Sequence, residues 1–321
     1  MQSKKYNFFY YSIFLIYGTI ILLEIKKYTI WNQITDVVDT NNLSSPTFLF
    51  ESFNAHTLRL LLMFGIIKMG NILNLNSNYF FSIIVFLNIL ISSKLLVSIQ
   101  KNIQNNPIVN VYCALTLIII SLLMNGRTSF SFLGISLIAY SILKYHLQDL
   151  NLLKMIFYFC LGLFLCSVSS GSFSVALLSI FIFIINFFYN SQYRKNDKKK
   201  LIFLIILFGI PIAQIMAIFI TKNLDFYDGS IIKMLSHGAG KIFKYKTLLI
   251  LIIPIIPFLI IVILTYTKYL NKDLRVLLFF PFVVSGIFIG LFGFTSFWTS
   301  YPIYILTIFN FLLPRRFKIA Y

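Results

Sequence analysis

Arg127 stands in the turn Asn125-Gly126-Arg127-Thr128, between two long apolar runs that are separated by little more than those four residues. A guanidinium in that place has two uses. It can grip a diphosphate through two parallel hydrogen bonds, or it can snorkel to the phosphate of a neighbouring lipid. A second group lies in the polar stretch 222–246, which holds Lys222, Asp225, Asp228, Lys233, His237, Lys241, Lys244 and Lys246. Cations there suit an anionic substrate, and His237 can move a proton near neutral pH; the alternative is a solvated loop. A third group, in the stretch 24–78, comprises Asp36, Asp39 and Glu51, followed by His56 and Arg59. Its carboxylates can act as a general base on a hydroxyl or hold a divalent cation, or they are ordinary exposed loop acids.

Other patterns are excluded. Ser236-His237-Gly238-Ala239-Gly240-Lys241 departs from a phosphate loop, because Leu235 stands where that motif needs glycine and Ile242 where it needs Ser or Thr. Cys113, Cys160 and Cys166 lie inside apolar runs with no Cys/His spacing of a metal site. No metal site is expected. Ser167, Ser169, Ser170, Gly171, Ser172 and Ser174 form a small-residue cluster, and Gly286, Gly290 and Gly293 form another. Both read first as close helix packing.

The elements that carry these residues are apolar helices. Of 321 residues 59% are hydrophobic and 11% charged, with a mean hydropathy of +0.88. Soluble domains carry roughly 25% charged residues, so a water-facing fold is excluded. Runs such as 201–220 and 248–264 do not alternate, which excludes a membrane β-barrel. The expected fold is all-α: one polytopic integral membrane domain over 1–321, with about ten transmembrane helices. The spans fall near 7–23, 79–97, 108–124, 128–146, 152–168, 172–189, 201–221, 247–267, 274–296 and 300–313. The first reads as a retained helix rather than a signal peptide, since no small-residue cleavage site follows it. Segment 57–73 is helical in pattern but carries Arg59 and Lys68. Each charge costs about 2.5–3.5 kcal/mol at the bilayer centre on insertion scales, so an interfacial or re-entrant helix is expected.

Direction follows from the basic residues, 27 against nine acidic ones for a net charge of +18. They cluster at the ends of apolar runs, which points to anionic lipid headgroups rather than nucleic acid. Placing Arg194–Lys200 in the cytoplasm puts Lys4, Lys5, Lys94, Lys101, Lys144, Lys154 and the carboxy-terminal basic cluster there too. Both termini then face the cytoplasm. The two long polar stretches, 24–78 and 222–246, form outer loops, and Arg127 sits on the same outer face.

This arrangement resembles bacterial surface-polysaccharide polymerases of the Wzy and EpsG type, which build O-antigen, capsule and exopolysaccharide. The resemblance covers most of the chain in topology. It rests on Asn125-Gly126-Arg127-Thr128-Ser129 opening a small-residue-rich helix that runs through Ala139 to Lys144. It rests also on a long, acidic first outer loop with Pro46 and Phe48, and on the helix-opening stretch 169–176. Relatives often carry a histidine in that stretch, where this chain has Ser170-Gly171-Ser172. The resemblance implies transfer of a glycan from a polyprenyl diphosphate to the next lipid-linked repeat unit, at the outer face of the inner membrane. It implies Arg127 as the diphosphate ligand, helped by Arg59, Lys233 or Lys241. The base would be one of Asp36, Asp39, Glu51 and His237. Polyprenyl-diphosphate-linked oligosaccharide, membrane lipids and other polysaccharide-assembly proteins are the implied partners. No cofactor is expected, because the lipid diphosphate is already an activated donor. A flippase for the same lipids is one rival; it would carry charges at mid-span and an internal repeat, which this chain lacks. A membrane O-acyltransferase is another, but His56, His146 and His237 all lie away from the first span, where that class carries its histidine motif. An inert assembly subunit is the third.

Overall fold

The structure, a computed structural model, describes residues 2–23, 57–103, 107–123, 126–189 and 198–203. It also describes single positions and pairs at 196, 213–214, 217, 221, 224, 228–230, 232–233, 281–282 and 284–286. Among the described residues every regular element is an α-helix and there is no strand. In chain order these are α1 (Gln2–Leu22), α2 (Thr57–Ile72), α3 (Ser77–Ile103), α4 (Pro107–Leu123), α5 (Thr128–His146), α6 (Leu152–Cys166) and α7 (Ser170–Tyr189). Each coincides with an expected helix; α5 matches to the residue, while α1 starts five residues earlier and α3 runs six residues further than expected. The expected spans 247–267 and 300–313 lie outside the described residues, and 201–221 and 274–296 are described at only a few positions.

Local chemistry sets the helix ends. α2 stops at Asn74 in the left-handed region (φ 52°), with Asn74 N–H bonded to the Asn71 carbonyl at 3.1 Å and Leu75 N–H to the Gly70 carbonyl at 3.0 Å. α5 stops the same way at Gln148 (φ 63°), with Gln148 N–H on the Tyr145 carbonyl and Asp149 N–H on the Lys144 carbonyl. This double bond satisfies the last carbonyls of a helix. Lys144 Nζ closes the α5 turn on Asp149 Oδ2 at 2.7 Å. Two residues on, Asn151 caps α6 by accepting from Lys154 N–H. Short turns of this kind make neighbouring helices antiparallel.

Pairwise contacts fix the directions. Tyr10 meets Ser93 and Tyr17 meets Phe86, so α1 and α3 run antiparallel. Gly126 packs on Phe81 and Ser129 on Asn88, so α3 and α5 run parallel. Gly134 meets Gly162 and Ser131 meets Cys166, so α6 returns along α5. The starts of α3 and α5 and the ends of α1, α4 and α6 therefore gather at one end of the bundle. α7 opens there too, three residues after α6.

α5 is the centre: it packs against α3, α4, α6 and α7. Of its 19 residues, 15 are buried, so every face of the helix is covered by protein. α5 and α6 approach most closely at two glycines. A Cβ on Gly134 would lie 2.5 Å from the Gly162 carbonyl oxygen, and one on Gly162 would lie 2.8 Å from the Gly134 carbonyl oxygen. Close approach of this type needs residues with no side chain.

The core of the bundle is mainly apolar but carries buried hydroxyls, and large apolar side chains also line its exterior. Ser92, Ser93, Ser121, Ser129, Ser131, Ser136, Ser141 and Ser179 are buried. Hydroxyls join the helices: Tyr10–Ser93 at 2.8 Å, Tyr17–Ser121 at 2.7 Å, and Asn88 Nδ2 donating to Ser129 Oγ at 3.2 Å. By contrast Phe8 and Leu15 on α1, Tyr112 and Ile119 on α4, Leu153 and Phe157 on α6, and Phe181 and Ile185 on α7 are exposed. Their spacings of four and seven residues place each pair on one helix face. A helix at a water surface turns a polar face outward; these helices turn apolar residues outward as well as inward. Among the described residues one helix, α3, is long and apolar enough on its own to cross a membrane. Its stretch Tyr79–Asn102 has 24 residues, about 36 Å at 1.5 Å per residue against about 30 Å of hydrocarbon. Shorter apolar stretches occupy α1, α2, α4, α6 and α7.

Candidate functional site: a half-buried arginine at the mouth of the bundle

The turn before α5 is built against α3. Gly126 is buried, and a Cβ there would stand 2.7 Å from Phe81 Cε1 and 2.9 Å from Val85 Cγ2. Only glycine lets the backbone approach α3 so closely. The next contacts hold the register: the Phe81 and Phe130 rings stack at 6.3 Å, and Asn88 donates to Ser129. The Gly126 carbonyl then accepts Ser129 N–H at 3.0 Å and the Arg127 carbonyl accepts Phe130 N–H at 3.2 Å, which starts the helix.

Arg127 is the cap residue of α5, with φ −58° and ψ −26°, and its side chain makes no capping bond. An arginine has only donors, so it cannot satisfy helix N–H groups. The guanidinium therefore does not serve as the cap. It is half-buried, and that burial pulls its pKa below the ordinary value. It still stays charged, since guanidinium does not deprotonate in proteins. The ion pairs among the described residues are Lys144–Asp149 and Lys233–Asp228, and neither involves Arg127. A cation has thus been withdrawn from water with no carboxylate beside it among the described residues. Such a charge is stabilised by an anion.

Hydroxyls surround the same end. Thr128 and Ser129 are buried in the first turn of α5. The Ser167 hydroxyl, past the end of α6, donates to the Phe164 carbonyl at 2.6 Å, and the Ser169 backbone carbonyl accepts Phe173 N–H to open α7. Ser172 is fully buried with no hydrogen-bond partner for its oxygen among the described residues. The expected small-residue cluster is thus the tight turn between α6 and α7.

Of the residues singled out from the sequence, Arg127 is placed at this mouth. Lys233 is exposed and paired with Asp228 Oδ2 at 2.8 Å, across the turn Asp228-Gly229. Arg59 lies in the first turn of α2. Asp36, Asp39, Glu51, His237 and Lys241 lie outside the described residues. The sequence reading passed over Asn88, Ser131, Gly134 and Gly162. Asn88 carried a signal, as an amide inside the apolar run Val85–Ile91. The glycine pair carried little, because Gly134 and Gly162 are on different helices and do not repeat within either. Comparison of the chain with protein-family models, with curated proteins and with solved structures found no match.

Proposed function

We propose that the chain is a multi-pass membrane enzyme that joins lipid-linked oligosaccharide repeat units, with Arg127 binding the diphosphate of the polyprenyl donor. The observation that carries this reading is the half-buried Arg127 guanidinium, uncompensated among the described residues, at the mouth of a bundle whose exterior is apolar. An apolar exterior suits lipid, and a substrate held by a long lipid tail presents its phosphate groups at the depth where such a bundle ends. About ten helices cross the inner membrane of a bacterium, both termini face the cytoplasm, and the mouth faces out.

In the reaction the bond from the anomeric carbon to the diphosphate oxygen breaks, and the diphosphate leaves with the electron pair. The acceptor hydroxyl forms the new glycosidic bond and gives its proton to a base. Negative charge grows on the departing diphosphate, so a guanidinium there stabilises the transition state more than the ground state. Its planar fork offers two parallel donors to the phosphoryl oxygens. The base comes from Asp36, Asp39, Glu51 or His237, and Arg59, Lys233 and Lys241 add positive charge to the same face.

Deleting the gene in its host and resolving the surface glycan by gel tests this. Loss of a polymerase leaves single repeat units on the lipid anchor. Absence of all surface glycan would assign export instead, and unchanged chain length with altered substituents would assign acyl transfer.

A further inference from the structure

Arg127 already has helical backbone angles, so Ser131, four residues on, lies one turn along the same face of α5. Residues at this spacing have Cβ atoms about 5–6 Å apart, and helical side chains lean toward the amino-terminal end. Ser131 therefore leans toward the turn that carries Arg127. Its hydroxyl oxygen is fully buried and has no hydrogen-bond partner among the described residues.

Ser172 shares this state, but three other buried serines do not. They use a carbonyl of the preceding turn: Ser92 that of Asn88, Ser141 that of Ile138, Ser179 that of Val175. For Ser131 the carbonyl four residues back is that of Arg127, and the hydroxyl makes no bond to it. A buried hydroxyl left without a partner is rare in a native fold and marks a place for an absent group. Here it belongs to the residue one helical turn on from the one that carries an uncompensated guanidinium.

We propose that Ser131 is the second anchor of the anion held by Arg127, its hydroxyl donating to a phosphoryl oxygen. The inference rests on the reading of Arg127 as a phosphate site. A diphosphate suits the pair, because the fork engages one phosphoryl group while a further oxygen reaches the hydroxyl one turn deeper. Ser131 is thus a binding residue that orients the diphosphate along α5.

The test is binding of farnesyl diphosphate, a short prenyl diphosphate, to the purified full chain in neutral detergent. Inorganic pyrophosphate and phosphatidylglycerol serve as separate probes. Ser131→Ala is expected to weaken farnesyl diphosphate binding about tenfold, as for loss of a hydrogen bond to a charged group. The unfolding temperature without ligand should be unchanged or higher, because an unsatisfied hydroxyl has been removed. Arg127→Ala should abolish binding. Ser131→Ala binding like the wild type while Arg127→Ala does not would overturn this inference and leave the phosphate site standing. Arg127→Ala binding like the wild type would overturn the phosphate site itself. Pyrophosphate competing with farnesyl diphosphate supports the two-point contact and assigns it to the headgroup. Phosphatidylglycerol binding as tightly, whether or not Ser131 is present, would overturn the contact in favour of general attraction to lipid phosphate.

Discussion

Gly126→Ala is the sharpest probe of how the arginine is held. The added methyl carbon would lie 2.7 Å from Phe81 Cε1 and 2.9 Å from Val85 Cγ2, against about 3.5–4.0 Å for a favourable carbon contact. Both neighbours are fully buried, so neither has room to withdraw. Overpacking of this size costs about 1–3 kcal/mol, and the turn relieves it by moving away from α3, taking Arg127 with it. Gly65→Ala is the matched control: it is an exposed interior position of α2 where an added Cβ meets nothing within 4 Å. There alanine should stabilise by about 0.5–1 kcal/mol through helix propensity. The assay is unfolding of the purified protein in detergent, run alongside farnesyl diphosphate binding. Adding Val85→Ala to Gly126→Ala should recover part of both losses, with a coupling of about 1 kcal/mol or more between the two sites. Additive effects, or Gly126→Ala as harmless as Gly65→Ala, would refute the idea that close approach to α3 positions the turn.

Three further outcomes follow from the same geometry. Gly134→Ala and Gly162→Ala should each destabilise by about 3 kcal/mol, because the new methyl meets a backbone carbonyl that cannot rotate away; the double variant should fall short of the sum in the same unfolding assay. Tyr17→Phe and Ser121→Ala each remove one side of a buried 2.7 Å bond. Each should cost about 0.5–1.5 kcal/mol, and combining them should add little. Arg127→Lys should bind farnesyl diphosphate more weakly and also become sensitive to alkali. Burial disfavours the charged form of the group at this position, so a lysine there falls below its ordinary pKa of about 10.4. Its binding is present at low pH and is lost as pH rises through that lowered value, whereas the wild-type arginine keeps its charge throughout.

The helices and the arginine turn were legible in the sequence for a physical reason. Apolar runs of 15 to 20 residues bounded by Asn, Gly and Lys have few conformations open to them, and α5 falls at 128–146 as its pattern requires. Its place in the bundle was not legible. Ser129, Ser131, Ser136 and Ser141 make it less apolar than its neighbours, but their spacing does not place it at the centre. In the fold those hydroxyls are buried because four other helices surround it. Contacts between distant segments were hidden for the same reason. Nothing in the spacing of Asn88 points to Ser129, nor of Gly134 to Gly162. The orphan hydroxyl of Ser131 was invisible to pattern altogether, since burial and hydrogen-bond partners are defined only in the packed fold.

The central claim is that this chain lengthens lipid-linked glycans and that Arg127 holds the leaving diphosphate. The most direct measurement uses the purified protein in lipid vesicles with the host's lipid-linked single repeat unit as sole substrate, its products resolved by gel. The account predicts a ladder of chain lengths with no nucleotide added. It predicts at least about tenfold slower growth with Arg127→Lys, which keeps a charge but loses the planar fork. Single units remaining unextended by the wild type, or a ladder formed equally well by Arg127→Lys, would contradict it.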